Sequence, residues 1–282
     1  MTKFIPIAKP YIAKQDIKLG LEALTNGWNE KHSFYVKKFE KNFKKKIKSR
    51  YSIATSSCTG ALTIAIASLG LKKGSEIILS NINWIATVSP IANLGFKPVF
   101  CDIDLKNWCI DPLKLKTLIN KNTGAIIVTH LYGNLCDMEK IMKISKEKKI
   151  PVIEDAAEAL GSKYKNKYAG TIGDIGCFSF HASKSLTTGE GGMMIMNKKK
   201  IYNKAKKLSD HGRSKNNYNL YLPDEIGFKF KMTNFQAALG ISQLKRFKKI
   251  ILRKREIFKY YKNGLKILNF NFNYQNKKDY NS

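Results

Sequence analysis

Ser179-Phe180-His181-Ala182-Ser183-Lys184-Ser185-Leu186-Thr187-Thr188-Gly189-Glu190-Gly191-Gly192 leaves one apolar, β-rich run, crosses a loop with a single lysine, and returns through a glycine-rich turn into another apolar run. Outward from it, runs of the same kind recur at 52–55, 76–80, 97–101, 125–129, 151–154, 176–180 and 192–197. Helical patterns stand between them. Val36, Phe39, Phe43 and Ile47 repeat at helical spacing, as do Leu62, Ala65, Ile66 and Leu69. Strands alternating with helices predict an α/β fold, with a mostly parallel seven-stranded sheet between helices. No internal repeat is evident.

Towards the end the pattern changes. From Thr233 to about Leu265 it reads as a long, bent helical region, opened by a Thr233-Asn234 cap with Gln236 three residues after the threonine. The stretch 269–282 is polar and rich in Asn and Lys. Residues 1–245 are therefore expected to form a large domain, and 246–282 a connecting helix and the start of a small, truncated C-terminal domain.

Length and composition bound the function. A chain of 282 residues buries one substantial core. No apolar run approaches the roughly 20 residues that cross a bilayer, and Met1-Thr2-Lys3-Phe4 lacks the apolar stretch of a signal peptide, so no membrane partner and a cytoplasmic location are expected. Cys58, Cys101, Cys109, Cys136 and Cys177 are odd in number, widely spaced and mostly within apolar segments, which suits reduced core thiols. None forms a CxxC or Cys/His cluster, so no metal site is expected. The net charge of +30 is spread as lysine over nearly every surface, with abundant Ile and Asn, the mark of an AT-rich coding bias more than of a nucleic-acid groove. Such a surface attracts anionic substrates.

Four segments carry chemistry. A lysine that condenses with an aldehyde needs a protected, apolar setting, which the Lys184 loop between two apolar strands offers, although by itself in so Lys-rich a chain the segment reads better as a surface lysine in a tight turn. Val152-Ile153-Glu154-Asp155-Ala156-Ala157-Glu158 is a buried strand ending in carboxylates, where ligands sit in open α/β sheets. Asp155 there reads equally as a ligand group or as a helix N-cap. Ala54-Thr55-Ser56-Ser57-Cys58-Thr59-Gly60-Ala61-Leu62 runs from strand to helix with small hydroxyl residues at the junction, which suits a phosphate as well as a plain cap. Trp84 follows the next strand and offers a flat face for stacking, or packs in the core.

Taken in order, these segments resemble the DegT/DnrJ/EryC1/StrS sugar aminotransferases, a branch of the fold-type I pyridoxal-phosphate enzymes. The resemblance runs from Ile5-Pro6 through Asn26-Gly27-Trp28, Phe39-Glu40, the Ser/Thr-rich turn, His130-Leu131-Tyr132-Gly133 with Asp137-Met138, the Glu154-Asp155 strand and the lysine loop. It ends in Gly227-Phe228-Lys229-Phe230-Lys231-Met232-Thr233-Asn234 and Gln236-Ala237-Ala238-Leu239-Gly240. It implies pyridoxal 5′-phosphate as cofactor, Lys184 as the Schiff-base lysine and Asp155 as the partner of the pyridine nitrogen. Trp84 stands at the ring-stacking position, and Cys58, Thr59 and Ser179 where the phosphate is held. Glu158 falls where the family has Gln, His or Glu near the ring oxygen. Lys229 stands where many members have an Asn that reaches the neighbouring subunit's cofactor, which implies a homodimer.

The segments around Glu154, Thr187 and Met232 are most similar to the branch that aminates a GDP-linked 4-keto-6-deoxy sugar to a perosamine-like product. The implied partners are a sugar nucleotide and glutamate, and the implied setting is surface-polysaccharide, O-antigen-type biosynthesis. Relatives that dehydrate sugars on this fold carry a histidine in place of the lysine, so Lys184 favours amino transfer. Two departures stand out: Cys58 replaces a common Gly, and the small C-terminal domain that closes over the substrate is nearly all missing. A non-catalytic or regulatory member of the family, and a basic nucleic-acid-binding protein, stay open as other readings.

Overall fold

Each of the seven β-rich runs becomes a strand of one sheet. The computed structural model describes residues 9–213, 221–268, 272 and 280–281, so Ile5-Pro6 and most of 269–282 lie outside the described residues. In chain order the strands are β1 (Tyr51–Thr55), β2 (Glu76–Ser80), β3 (Lys97–Cys101), β4 (Thr123–Thr129), β5 (Val152–Asp155), β6 (Lys163–Tyr164), β7 (Lys167–Tyr168), β8 (Ile175–Ser179), β9 (Gly192–Met196) and β10 (Tyr280–Asn281). The main sheet has the order β1-β9-β8-β5-β4-β2-β3, and β10-β6-β7 form a small second one. Neighbours from β8 to β3 pair in parallel, while β9 is antiparallel to both β1 and β8. The expected α/β class and mostly parallel sheet are thus found, with edges shifted by a residue or two. Pro151 has no N–H to donate, so β5 begins at Val152 and runs on to pair Asp155 with Thr129 and Cys177.

The helices are α1 (Lys14–Asn26), α2 (Phe34–Ile47), α3 (Cys58–Ser68), α4 (Ile85–Asn93), α5 (Pro112–Leu118), α6 (Met138–Lys148), α7 (Lys199–Leu208), α8 (Asn234–Lys245) and α9 (Phe247–Gly264). One face of the sheet is covered by α2, α6 and α8. The buried stripe of α2 is Tyr35, Phe39, Phe43 and Ile47, with Val36 only half-buried, because spacing four along the helix keeps one line facing the sheet. Phe39 and Phe43 interleave edge-on or tilted with Phe178 and Phe180, with centroids 5.2–5.5 Å apart across the interface. Each such ring stabilises the fold by about 1.5–3 kcal/mol through burial. On the other face lies α3, whose Ala61, Ile64, Ala65 and Ile66 are wholly buried because α4 and α7 cover the side turned from the sheet.

The long helical region near the end is two helices. Thr233 and Gln236 form the expected capping box at the start of α8, and the chain bends at Arg246 (φ −95°, ψ 6°) before α9. Only Phe247 of α9 is buried. Among the described residues no helix is long and apolar enough to cross a membrane, and all five cysteines are free and buried.

Since β9 reverses direction twice over, β1 and β8 point the same way as β2, β4 and β5. Their C-terminal ends share one edge of the sheet. The segments leaving that edge hold Ser57–Thr59, Asn83–Trp84, His130–Tyr132, Ala156–Glu158 and His181–Lys184, the place where open α/β sheets take ligands.

Candidate active site

β5 ends in two carboxylates that the pleat sends to opposite faces. Neighbouring Val152 and Ala156 belong to the core under α2 and α8, and Ile153 to the core under α3, so Glu154 faces the first and Asp155 the second. Glu154 is wholly buried and saturated: Oε1 accepts the N–H groups of Ile172 (2.6 Å) and Gly173 (2.5 Å), and Oε2 accepts Gly170 N–H (2.8 Å) and His130 Nε2 (2.9 Å). His130 accepts the Cys136 N–H on Nδ1 (3.3 Å), which leaves its Nε2–H to donate to Glu154. Glu154 is therefore a bolt between β5, the segment after β4 and the turn before β8.

Asp155 is different. It is buried among α3, α4 and β8, with Oδ2 2.7 Å from the Thr87 hydroxyl and Oδ1 accepting the Ala157 N–H at 3.1 Å. It caps no helix. Burial holds its carboxyl above the usual carboxylate range, opposed by those two hydrogen bonds. Cys58 lies close enough that Asp155, after burial itself, raises the thiol well above its ordinary range, while Lys184 lowers it.

Lys184 sits at the mouth of this site. Its amine Nζ is 2.9 Å from Glu158 Oε1, and Glu158 Oε2 accepts the Tyr132 N–H at 2.8 Å. Tyr132 holds a left-handed backbone (φ 52°, ψ 27°), which an L-residue with a bulky side chain adopts only where its surroundings impose it. The His130-to-Gly133 segment, the end of β5 and the lysine loop are thus joined through one carboxylate.

The Ser/Thr-rich turn forms the other wall. Ser57 caps α3 by accepting the Gly60 N–H (3.0 Å), which leaves the Cys58 and Thr59 N–H groups at the positive helix end with no intrahelical carbonyl to meet. Cross-strand register sets Thr55, Gly192 and Ser179 side by side on β1, β9 and β8, so Ser179 falls about 10 Å or less across from the turn. Gly192 is required there: a Cβ would lie 2.4 Å from Ser57 O and 2.7 Å from Cys58 N.

Trp84 is not core. It precedes α4, three-quarters exposed at the site's edge, and its backbone N–H donates to Asn83 Oδ1 (2.8 Å). Lys229 is also exposed, between Phe228 and Phe230, whose rings are 5.7 Å apart and nearly parallel. That segment is tied to the turn by Ser56 N–H to Phe230 O (2.8 Å). Lys184, Asp155, Glu158, Trp84, Cys58, Thr59 and Ser179 therefore gather on one sheet edge, while among the described residues no hydrogen bond or ion pair joins Lys229 to any of them. Sequence reasoning missed Asn83, Thr87 and Thr129, which link Trp84 to Asp155. Their signal was an Asn and a Thr four residues apart at a helix start, facing one way.

Residues 10–282 match the DegT/DnrJ/EryC1/StrS aminotransferase family. The chain belongs to that family. GDP-perosamine synthase of Escherichia coli O157:H7 is 38% identical over 266 residues, 94% of this chain and 72% of that protein. Among solved structures, the aminotransferase from Psychrobacter cryohalolentis matches with a TM-score of 0.80 at 32% identity, over 86% of this chain and 64% of that one, less than two thirds of its length. E. coli GDP-4-keto-6-deoxy-D-mannose-3-dehydratase with bound hydrated PLP matches with a TM-score of 0.85 at 28% identity, over 93% of this chain and 72% of that one.

Membership makes this a pyridoxal-phosphate-dependent enzyme of the sugar aminotransferase class. The residues fit the cofactor. An amine, a buried carboxyl, a helix end with free N–H groups and an exposed indole face converge at one edge. They suit, in turn, an aldehyde, a basic ring nitrogen, a phosphate and a flat ring.

Proposed function

We propose that this chain moves an amino group from glutamate onto the keto carbon of a GDP-linked 4-keto-6-deoxy sugar, releasing 2-oxoglutarate and a perosamine-like amino sugar nucleotide. Pyridoxal phosphate, when bound, supplies an aldehyde that carries the amino group and a ring that withdraws electrons. Lys184 would hold it through its amine and, with that amine free, would move a proton at the substrate carbon as a general acid–base. Glu158 holds the lysine amine at the reacting face. Asp155 would hold the ring nitrogen, its carboxylate keeping a proton there. Cys58, Thr59 and Ser179 hold the phosphate, so the ring is fixed at both ends. Trp84 covers the ring face.

The observation that carries this reading is the Lys184 amine, 2.9 Å from Glu158, on the same sheet edge as the buried Asp155. A lysine at this place favours amino transfer over dehydration, and the strongly basic surface favours a diphosphate-bearing substrate.

A homodimer completes the site. Lys229 is exposed in its own subunit and reaches the phosphate of the partner's cofactor. The subunits meet in part through the apolar line Ile17, Leu21 and Leu24 of α1, with Trp28 folded back on it by an Nε1–H bond to Leu24 O (2.6 Å), all of them exposed. Residues 1–245 form the cofactor-binding domain and 246–282 open a second unit, in keeping with how little of α9 is buried. The enzyme works in the cytoplasm, in the biosynthesis of a surface polysaccharide such as an O-antigen.

The test is amino transfer from glutamate to a panel of GDP-, UDP- and dTDP-linked 4-keto-6-deoxy sugars, followed as 2-oxoglutarate release. Preference for the GDP-linked sugar is expected. A cofactor-loaded protein that aminates no sugar nucleotide would place it with the non-catalytic members instead.

A further inference from the structure

Thr87 lies between two oxygens that both ask for its single proton. Its Oγ1 is 2.7 Å from Asp155 Oδ2 and 3.0 Å from Asn83 Oδ1. The orientation of the Asn83 amide is not free: the Trp84 N–H donates to Oδ1 at 2.8 Å, and Nδ2 donates to Thr129 Oγ1 at 2.8 Å. Oδ1 can therefore only accept, and a hydroxyl has only one hydrogen to give. Among the described residues, Thr87 Oγ1 and the Ala157 N–H are the hydrogen-bond partners of the Asp155 carboxyl. Other titratable groups act on it through space alone: His130 after β4, Glu158 after β5, Cys58 of α3 and Cys177 of β8.

Two arrangements satisfy every atom. When Asp155 is neutral, its own O–H donates to Thr87 Oγ1 and Thr87 donates to Asn83. When Asp155 is ionised, the Thr87 hydroxyl turns and donates to Oδ2, while Asn83 keeps the Trp84 N–H. Thr87 is wholly buried, so no water competes with either arrangement.

We propose that Thr87 is a positioning residue for the cofactor's ring nitrogen, acting through Asp155: turning its hydroxyl lets a buried carboxyl wait in neutral form and pass its own proton to the nitrogen of an incoming uncharged ring, with a donor in place for each state. Asn83 makes the turn possible by accepting the Thr87 hydrogen bond in the waiting state. This rests on the reading that pyridoxal phosphate binds with its nitrogen at Asp155.

The test compares cofactor affinity, not turnover. Dissociation constants are measured for pyridoxal phosphate and for its analogue with the ring nitrogen replaced by carbon, on wild type, Thr87→Val and Thr87→Ser. Thr87→Val is expected to weaken pyridoxal phosphate by about tenfold, the worth of one hydrogen bond to a charged group, and the carbon analogue by no more than about twofold. Thr87→Ser, which keeps the hydroxyl, is expected to recover most of the loss. Equal weakening of both ligands, or of neither, overturns the proposal, because a merely structural threonine does not distinguish the two rings. If wild type binds both ligands equally, the placement of the nitrogen at Asp155 fails first, which separates the two claims. Should Thr87→Val not fold, Thr87→Ala read in the same two affinities decides by the same outcomes.

Discussion

Glu158 and Lys184 form a contact of 2.9 Å that closes a chain from the strained Tyr132 backbone to the lysine amine. The carboxylate is divided between them, one oxygen to each, so whatever moves Tyr132 or the end of β5 also moves the amine. Replacing Glu158 with Gln keeps an acceptor for the Tyr132 N–H, whereas Ala removes both contacts. Glu158→Ala is expected to weaken cofactor binding by about tenfold and Glu158→Gln by only a few-fold, read by titrating the cofactor's visible absorbance.

Glu154 accepts four donors in the core, and no neutral isostere can do so. Either orientation of a glutamine there turns its NH2 towards two N–H groups. Glu154→Gln is expected to destabilise the protein by about 3–5 kcal/mol in urea unfolding, several times the effect of a surface Glu→Gln change.

The Asp155 carboxyl is held above the ordinary carboxylate range by burial, so its linkage has the opposite sign to that of an ion-paired acid. Between the usual value near 4 and the raised folded value, the folded protein binds a proton that the unfolded chain does not, and stability grows as pH falls through that window. Asp155→Asn copies the protonated form: its NH2 donates to Thr87 and its oxygen accepts the Ala157 N–H. Cofactor-free Asp155→Asn is expected to melt above wild type at pH 8, with the gap closing as pH falls towards the ordinary carboxylate range. Differential scanning calorimetry at matched pH checks it.

A Cβ on Gly192 would collide with Ser57 O and Cys58 N, backbone atoms of the turn beside α3 that cannot step aside singly. Gly192→Ala is expected to lower stability by about 1–3 kcal/mol and to weaken inorganic phosphate and cofactor binding together, by isothermal titration.

Much of this was legible in the sequence. The strands announced themselves because buried parallel strands are short apolar runs, and Asp155 and Lys184 stood at the ends of two of them. The roles of Glu154 and Asp155 were harder to part, since adjacent residues on a strand differ only in the face they take and neither face is polar. Thr87 and Asn83 were passed over for another reason: a short polar residue at a helix start is normally a cap, and their actual partners lie across the sheet edge on β4 and β5. Tyr132 hid because a left-handed backbone is expected of Gly or Asn, as at its neighbour Gly133, and not of a bulky aromatic residue. A bend in the long helical region was expected, but its place at Arg246 is marked by no proline or glycine.

The most direct measurement is borohydride reduction of the protein loaded with pyridoxal phosphate, followed by peptide mass mapping. The expected result is one reduced cofactor per chain, fixed to the peptide that holds Lys184 and absent from Lys184→Ala. Label spread over the surface lysines, or unchanged in Lys184→Ala, would contradict the assignment of that amine and the site built around it.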